Sequence, residues 1–150
     1  MTTAQRDQAR IGSRFHIPAA IRDELVAHAV AGLPFVTCGL LAGRDGRVER
    51  FYPVPNIDRS EFTYQLDPRA YPLAVDDIEE RGLDWIGIYH SHTHTEAYPS
   101  PTDRAKSAGV QAFYPGMRFV LVSLQDHDRP SVRAFTITGD QVEEQEVSLA

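Results

Sequence analysis

The sequence predicts a mixed α/β (α+β) fold, with one mixed β-sheet and helices packed against it in a single domain. Three observations predict it. A chain of 150 residues with 42% hydrophobic and 24% charged residues suits one domain with a real core. Read in order, the elements run helix, strands, helix, strand, helix, strands, with no internal repeat, linker or low-complexity tract. The apolar run from Trp85 to Tyr89 reads as a buried central strand, and it is followed by turn residues and a further helix.

Each element has its own signal. Residues 1–12 are polar and read as a flexible tail, which leaves 13–150 as the domain. Arg14 to Ile17 reads as a short strand. Pro18 then opens a helix in which Ile17, Ile21, Leu25 and Ala29 recur at helical spacing, and Gly32 ends it. His28 lies beside that stripe and reads as structural or exposed. Thr37 to Ala42 and Val48 to Val54 form a hairpin about the turn signal R-D-G-R. After a loop, Phe62 to Leu66 alternates like a strand. Asp67-Pro68 caps and starts a second helical stretch, Leu73 to Arg81, which Gly82 closes. Beyond the central strand, Thr102 reads as the cap of a helix running from Asp103 to about Val110. Phe119 to Leu124 is a buried strand, and Arg133 to Thr138 pairs with Val142 to Val147 about Gly139-Asp140.

Composition excludes several classes of function. A net charge of −6 argues against nucleic acid or acidic lipid as a main partner. Cys38 is the single cysteine, so the chain forms no internal disulfide and suits a reducing compartment. Cys38 lies in an apolar strand and reads as a buried structural thiol. No apolar run is long enough to span a bilayer, and the N-terminus lacks the apolar core of a signal peptide. The expectation is a cytoplasmic protein without a membrane partner.

The chemistry concentrates between Trp85 and Asp103. Side chains at i and i+2 of a strand point to one face, so His90 and His92 project together from the end of the central strand. A turn through Pro99, Ser100 and Pro101 then leads to Asp103 in the first turn of the next helix. Two imidazoles and one carboxylate make a three-ligand metal site with a position left for water, as in catalytic zinc centres. The set also accepts other divalent ions. Ser100, in the connecting turn, is placed to donate to the oxyanion formed when water attacks an amide carbonyl. His94 reads as a loop residue that lines the groove or does nothing. Glu96 and Tyr98 read as solvated loop residues, and Glu96 is a second-rank candidate for proton transfer.

The stretch H-S-H-T-H-T-E-A-Y-P-S-P-T-D resembles the JAMM motif of the MPN-domain (Mov34/PAD-1) zinc metallopeptidases: His-x-His, seven residues, Ser, two residues, Asp. C-G-L-L-A-G from Cys38 to Gly43 resembles the first core strand of that family. The likeness extends from about Arg14 to Val147, nearest to small bacterial members of the Mec+ type. It implies a curved mixed sheet flanked by helices, with one zinc ion held by His90, His92 and Asp103. It implies that Ser100 supports the oxyanion. It further implies hydrolysis of an amide or isopeptide bond at the C-terminal Gly-Gly tail of a ubiquitin-like or sulfur-carrier protein.

One position departs from the pattern. The family carries a general-base glutamate two residues before the Cys-Gly of that strand, and here the segment P-F-V-T-C-G puts Val36 there. A general base is worth about 10²–10⁴ in rate. Either another carboxylate substitutes, or the register differs by a residue, or the chain binds metal with little hydrolysis. Two readings therefore stand: a JAMM-type zinc hydrolase, and an MPN-type zinc-binding interaction module with reduced or no catalysis. An H-x-H amidohydrolase barrel is disfavoured, since such barrels run to roughly 200 residues or more.

Overall fold

The computed structural model describes residues 14–149; the tail expected at 1–12 lies outside the described residues. Its strands are β1 (Phe15–His16), β2 (Cys38–Arg44), β3 (Arg47–Val54), β4 (Asp84–His92), β5 (Arg118–Ser123), β6 (Ser131–Thr138), β7 (Gln141–Gln145) and β8 (Val147–Ser148). Its helices are α1 (Ala19–Ala31), α2 (Tyr71–Glu80) and α3 (Pro101–Phe113). The strands form one sheet in the order β7-β6-β5-β4-β2-β3-β1-β8. The sheet is mixed, as expected: β2 is antiparallel to β3 and β4, whereas β4 and β5 are parallel. Register shifts at Leu41/Ala42 and Ala42/Gly43 put irregularities in β2, and such bulges bend a strand.

Two apolar layers lie on opposite faces of the sheet. Strand alternation explains why: Tyr89 belongs to one layer with Phe15, Leu25, Leu41 and Val120, and Ile88 to the other with Cys38, Leu40, Ile78 and Phe119. Helix α1 covers the first face. It starts after Pro18 with no side-chain cap, so it depends on packing through Leu25 and Ala29, both fully buried. Burying one such leucine is worth roughly 1.5–3 kcal/mol. His28 is structural, its ring 5.3 Å from that of Phe51 and 5.8 Å from that of Tyr89. Helix α2 brings Ile78 to the second face, and Val110 of α3 packs against the same layer. Cys38 is fully buried and donates to the Val54 carbonyl at 3.4 Å, and burial pushes its thiol pKa up to about 12.

Four boundaries differ from expectation. Phe62 to Leu66 forms no strand; the segment makes one bridge, Asn56 with Leu66. Its backbone is satisfied by side chains instead. Asn56 Nδ2 donates to the Thr63 and Val36 carbonyls, and Asn56 Oδ1 accepts from Asp58 and Gln65, each at 3.0 Å. Ser60 Oγ accepts from the N–H groups of Phe62 and Thr63. Helix α2 begins at Tyr71 with Pro72 in its first turn, while Asp67 closes a separate turn by accepting from the Arg69 N–H. Ser100, not Thr102, caps α3, because its hydroxyl lies three residues before Asp103 and takes the Asp103 N–H. The last strand breaks at Glu146, whose carbonyl accepts from the Phe15 N–H at 2.8 Å, and β8 then pairs with β1. No helix among the described residues is long and apolar enough to cross a membrane.

Replacing Asn56 with alanine removes all four of these bonds at once. Stability is expected to fall by about 1–3 kcal/mol, the cost of unsatisfied polar groups, read as a lower urea midpoint. An unchanged midpoint would show that the 55–67 loop folds without this side chain.

Candidate metal centre

The junction of β4 and α3 carries the site. Strand alternation sends His90 and His92 to the α3 face, and the Ser100 cap turns Asp103 toward them. His90 Nε2 lies 3.2 Å and His92 Nε2 3.1 Å from the same oxygen, Asp103 Oδ2. The two Nε2 atoms are 3.2 Å apart. The structure thus brings together all three residues that the motif nominates. Ser100 and Asp103 hold one another. Ser100 Oγ accepts from the Asp103 N–H at 3.1 Å, and the Ser100 N–H donates to Asp103 Oδ2 at 2.9 Å.

The donor set fits a small divalent cation. His92 Nδ1 donates to the Glu96 carbonyl at 2.8 Å, which leaves a lone pair on Nε2 of the neutral ring. That lone pair, a second imidazole nitrogen and a carboxylate oxygen point at one spot, where only a cation or a proton relieves their repulsion. The three separations also match the edges of a tetrahedron with metal–nitrogen bonds near 2.0–2.1 Å, which are about 3.3–3.4 Å long. His90 Nδ1 is buried without a hydrogen-bond partner among the described residues.

The electrostatics follow from burial and from Asp103. Burial lowers the pKa of His90 and outweighs the opposing pull of Asp103. Burial acts against charge on His92 too, but the Asp103 bond, the Glu96 carbonyl and the Asp103 charge together raise its pKa. For Asp103, burial is overcome by the bonds to His90 and His92, the charge interaction with His90 and the Ser100 N–H, so its carboxyl stays well below the usual range. Asp103 is therefore an anion and His90 a neutral imidazole at neutral pH.

Two neighbours of the site carry no signal in the motif. Tyr64 stacks on His90 with ring centroids 4.4 Å apart and planes 22° apart. The Lys106 ammonium lies 4.5 Å from the centroid of the Tyr64 ring and also donates to the Tyr64 carbonyl. Lys106 is the only lysine of the chain and lies three residues after Asp103, so helical spacing was a usable clue. Tyr64 offered none, because its approach to His90 depends on the fold of the loop.

The loop residues separate. His94 Nε2 lies 3.1 Å from Glu61 Oε1. Glu96 serves through its carbonyl, while its carboxylate acts on the Arg133 guanidinium. Tyr98 is not simply solvated, since its ring meets Phe135 edge-on at 5.5 Å. Val36 is buried in the layer that includes Cys38 and Tyr64. Cys38 pairs with His90, and the bond from the Ser91 N–H to the Thr37 carbonyl extends that register, so Val36 falls on the face that carries His90 and His92.

A mixed sheet between helices, with a His-His-Asp group where a strand meets a capped helix, defines the JAB/MPN class of domains. The sequence profile described as "Prokaryotic homologs of the JAB domain" matches residues 18–138, and the chain belongs to that family. It is 38% identical over 135 residues to the "CysO-cysteine peptidase" of Mycobacterium tuberculosis, covering 89% of each chain. It is 33% identical over 144 residues to the "Desampylase" of Haloferax volcanii, covering 91% of this chain and 97% of that one. Among solved structures, a Desulfitobacterium hafniense protein determined in solution superposes with a TM-score of 0.78 at 37% identity, covering 90% of this chain and 92% of that one.

The protein is expected to take up about one divalent ion per chain, with binding lost in His92→Ala and kept in Cys38→Ser. Calorimetric titration of chelator-stripped protein measures both. Equal binding by His92→Ala and the natural protein would remove His92 from the ligand set.

Proposed function

We propose that this protein is a zinc-dependent hydrolase. Its substrate is an amide or isopeptide bond after the C-terminal Gly-Gly of a ubiquitin-like or sulfur-carrier protein. The observation that carries the reading is the convergence of His90 Nε2, His92 Nε2 and Asp103 Oδ2 within 3.1–3.2 Å of one another. Membership of the JAB family and the likeness to a peptidase and a desampylase support it.

His90, His92 and Asp103 would hold the zinc, which when bound would supply a Lewis acid for the scissile carbonyl and for a water molecule, whose pKa would fall to about 7. The chain's own groups do the rest. The Glu96 carbonyl fixes the His92 ring by taking its Nδ1 proton. The Ser100 N–H fixes Asp103, and the Ser100 hydroxyl, accepting from the Asp103 N–H, keeps its own proton to donate. That proton is the one offered to the developing oxyanion. Tyr64 stacks on the buried His90 ring and helps keep water from that imidazole.

A second reading, a zinc-binding interaction module with little or no catalysis, is favoured by one residue, Val36, which cannot accept a proton. The test is a ubiquitin-like protein whose Gly-Gly tail is extended by one amino acid, with cleavage followed by mass spectrometry. Release is expected to stop with a chelator and to return with zinc. Release indifferent to chelator sinks the metal mechanism, and tight carrier binding without release selects the module.

Ser100→Ala is expected to lower kcat by roughly 10²–10³ while metal content holds, together with a stability loss of about 1 kcal/mol from the missing cap. Loss of stability with kcat unchanged would leave Ser100 as a cap alone.

A further inference from the structure

Position 36 lacks a proton acceptor, and the loop hydrogen-bonded to it carries a carboxylate, that of Glu61. The Ser60 carbonyl accepts the Val36 N–H at 2.8 Å. The next carbonyl, that of Glu61, accepts the Thr93 hydroxyl at 3.0 Å, and Thr93 directly follows His92. The backbone of Glu61 is thus tied on one side to the residue at the vacant position and on the other to the end of the histidine strand. Ser60 Oγ, by accepting from Phe62 and Thr63, holds the turn on which Glu61 sits. The Glu61 side chain is 43% exposed, so water reaches it, and its Oε1 lies 3.1 Å from His94 Nε2. The ring of Phe62 packs 5.5 Å from that of His94 and steadies the pair. Nearby acids are otherwise engaged: Asp103 with the histidines, Glu96 in the field of Arg133, and Asp58 with the Thr63 hydroxyl at 3.1 Å.

We propose that Glu61 is the catalytic proton-transfer residue of this protein, with His94 as the residue that positions it. The proposal rests on the hydrolase reading. The oxygen of the attacking water bonds to the carbonyl carbon, and one water proton passes to the Glu61 carboxylate. The carbon–nitrogen bond breaks, the same proton goes to the leaving nitrogen, and Glu61 returns as a carboxylate. The products are the carrier's free C-terminal carboxyl group and an amine.

Glu61→Gln keeps the shape and removes the base. With the tail-extended carrier as substrate, kcat is expected to fall about 10²-fold or more, with KM, metal content and melting temperature unchanged. Adding Val36→Glu to Glu61→Gln is expected to recover at least about tenfold, the low side of what a general base contributes. In the metal-free protein, the His94 imidazole resonances are expected to move in Glu61→Gln, which reads the pair without any turnover. Unaltered kcat in Glu61→Gln overturns the proposal and leaves the hydrolase reading intact. A fall in kcat that comes with lost metal or a lowered melting temperature overturns it too, by making Glu61 structural. A natural protein that cleaves no extended carrier overturns the hydrolase reading, and this assignment with it.

Discussion

Asp103 Oδ2 lies within 3.2 Å of two imidazole nitrogens and one backbone N–H. The geometry of the site depends on that oxygen. It sits at the start of α3, where the helix dipole favours an anion, and the Ser100 cap keeps it from turning to solvent. The same capping box therefore starts a helix and aims the Asp103 carboxylate at the two imidazoles. A carboxylate one residue earlier or later would lose the reciprocal bonds that fix its rotamer.

The sheet supplies the other half of the geometry. Strand β4 lies between antiparallel β2 and parallel β5, and α3 provides the crossover between the two parallel strands. Crevices outside the carboxyl end of such a strand are the usual place for a site in α/β sheets. Strand β2 begins beside that crevice, with Cys38 opposite His90, which is why Val36, two residues before Cys38, comes to bear on it. The side chains of Asn56 and Ser60 then fold the following loop back over the same corner.

How much of this the sequence revealed depends on contact range. His90, His92, Ser100 and Asp103 are legible because strand alternation and a capping turn are local rules acting over a few residues. The hairpin of β2 and β3 and helix α1 are legible for the same reason. The 56–66 loop is not, since its alternating pattern mimics a strand while its bonds go to the Asn56 and Ser60 side chains. Thr102 and Ser100 are both good caps by type, and the reciprocal bond to Asp103 chooses between them. Tyr64 on His90 and Glu61 on His94 join parts of the chain far apart in sequence, and no local pattern announces them.

The three proposed ligands belong to one short segment, His90 to Asp103, but only the fold makes them converge. An unfolded chain keeps the His-x-His pair and loses the capped aspartate, so it holds an ion more weakly than the native chain does. Any ion that prefers the native triad stabilises it by mass action, about 2.7 kcal/mol when free ion stands at a hundred times its dissociation constant. With the proposed metal site, resistance to heat would be partly a property of the surroundings: the melting curve would read the free metal of the medium as well as the packing of the sheet.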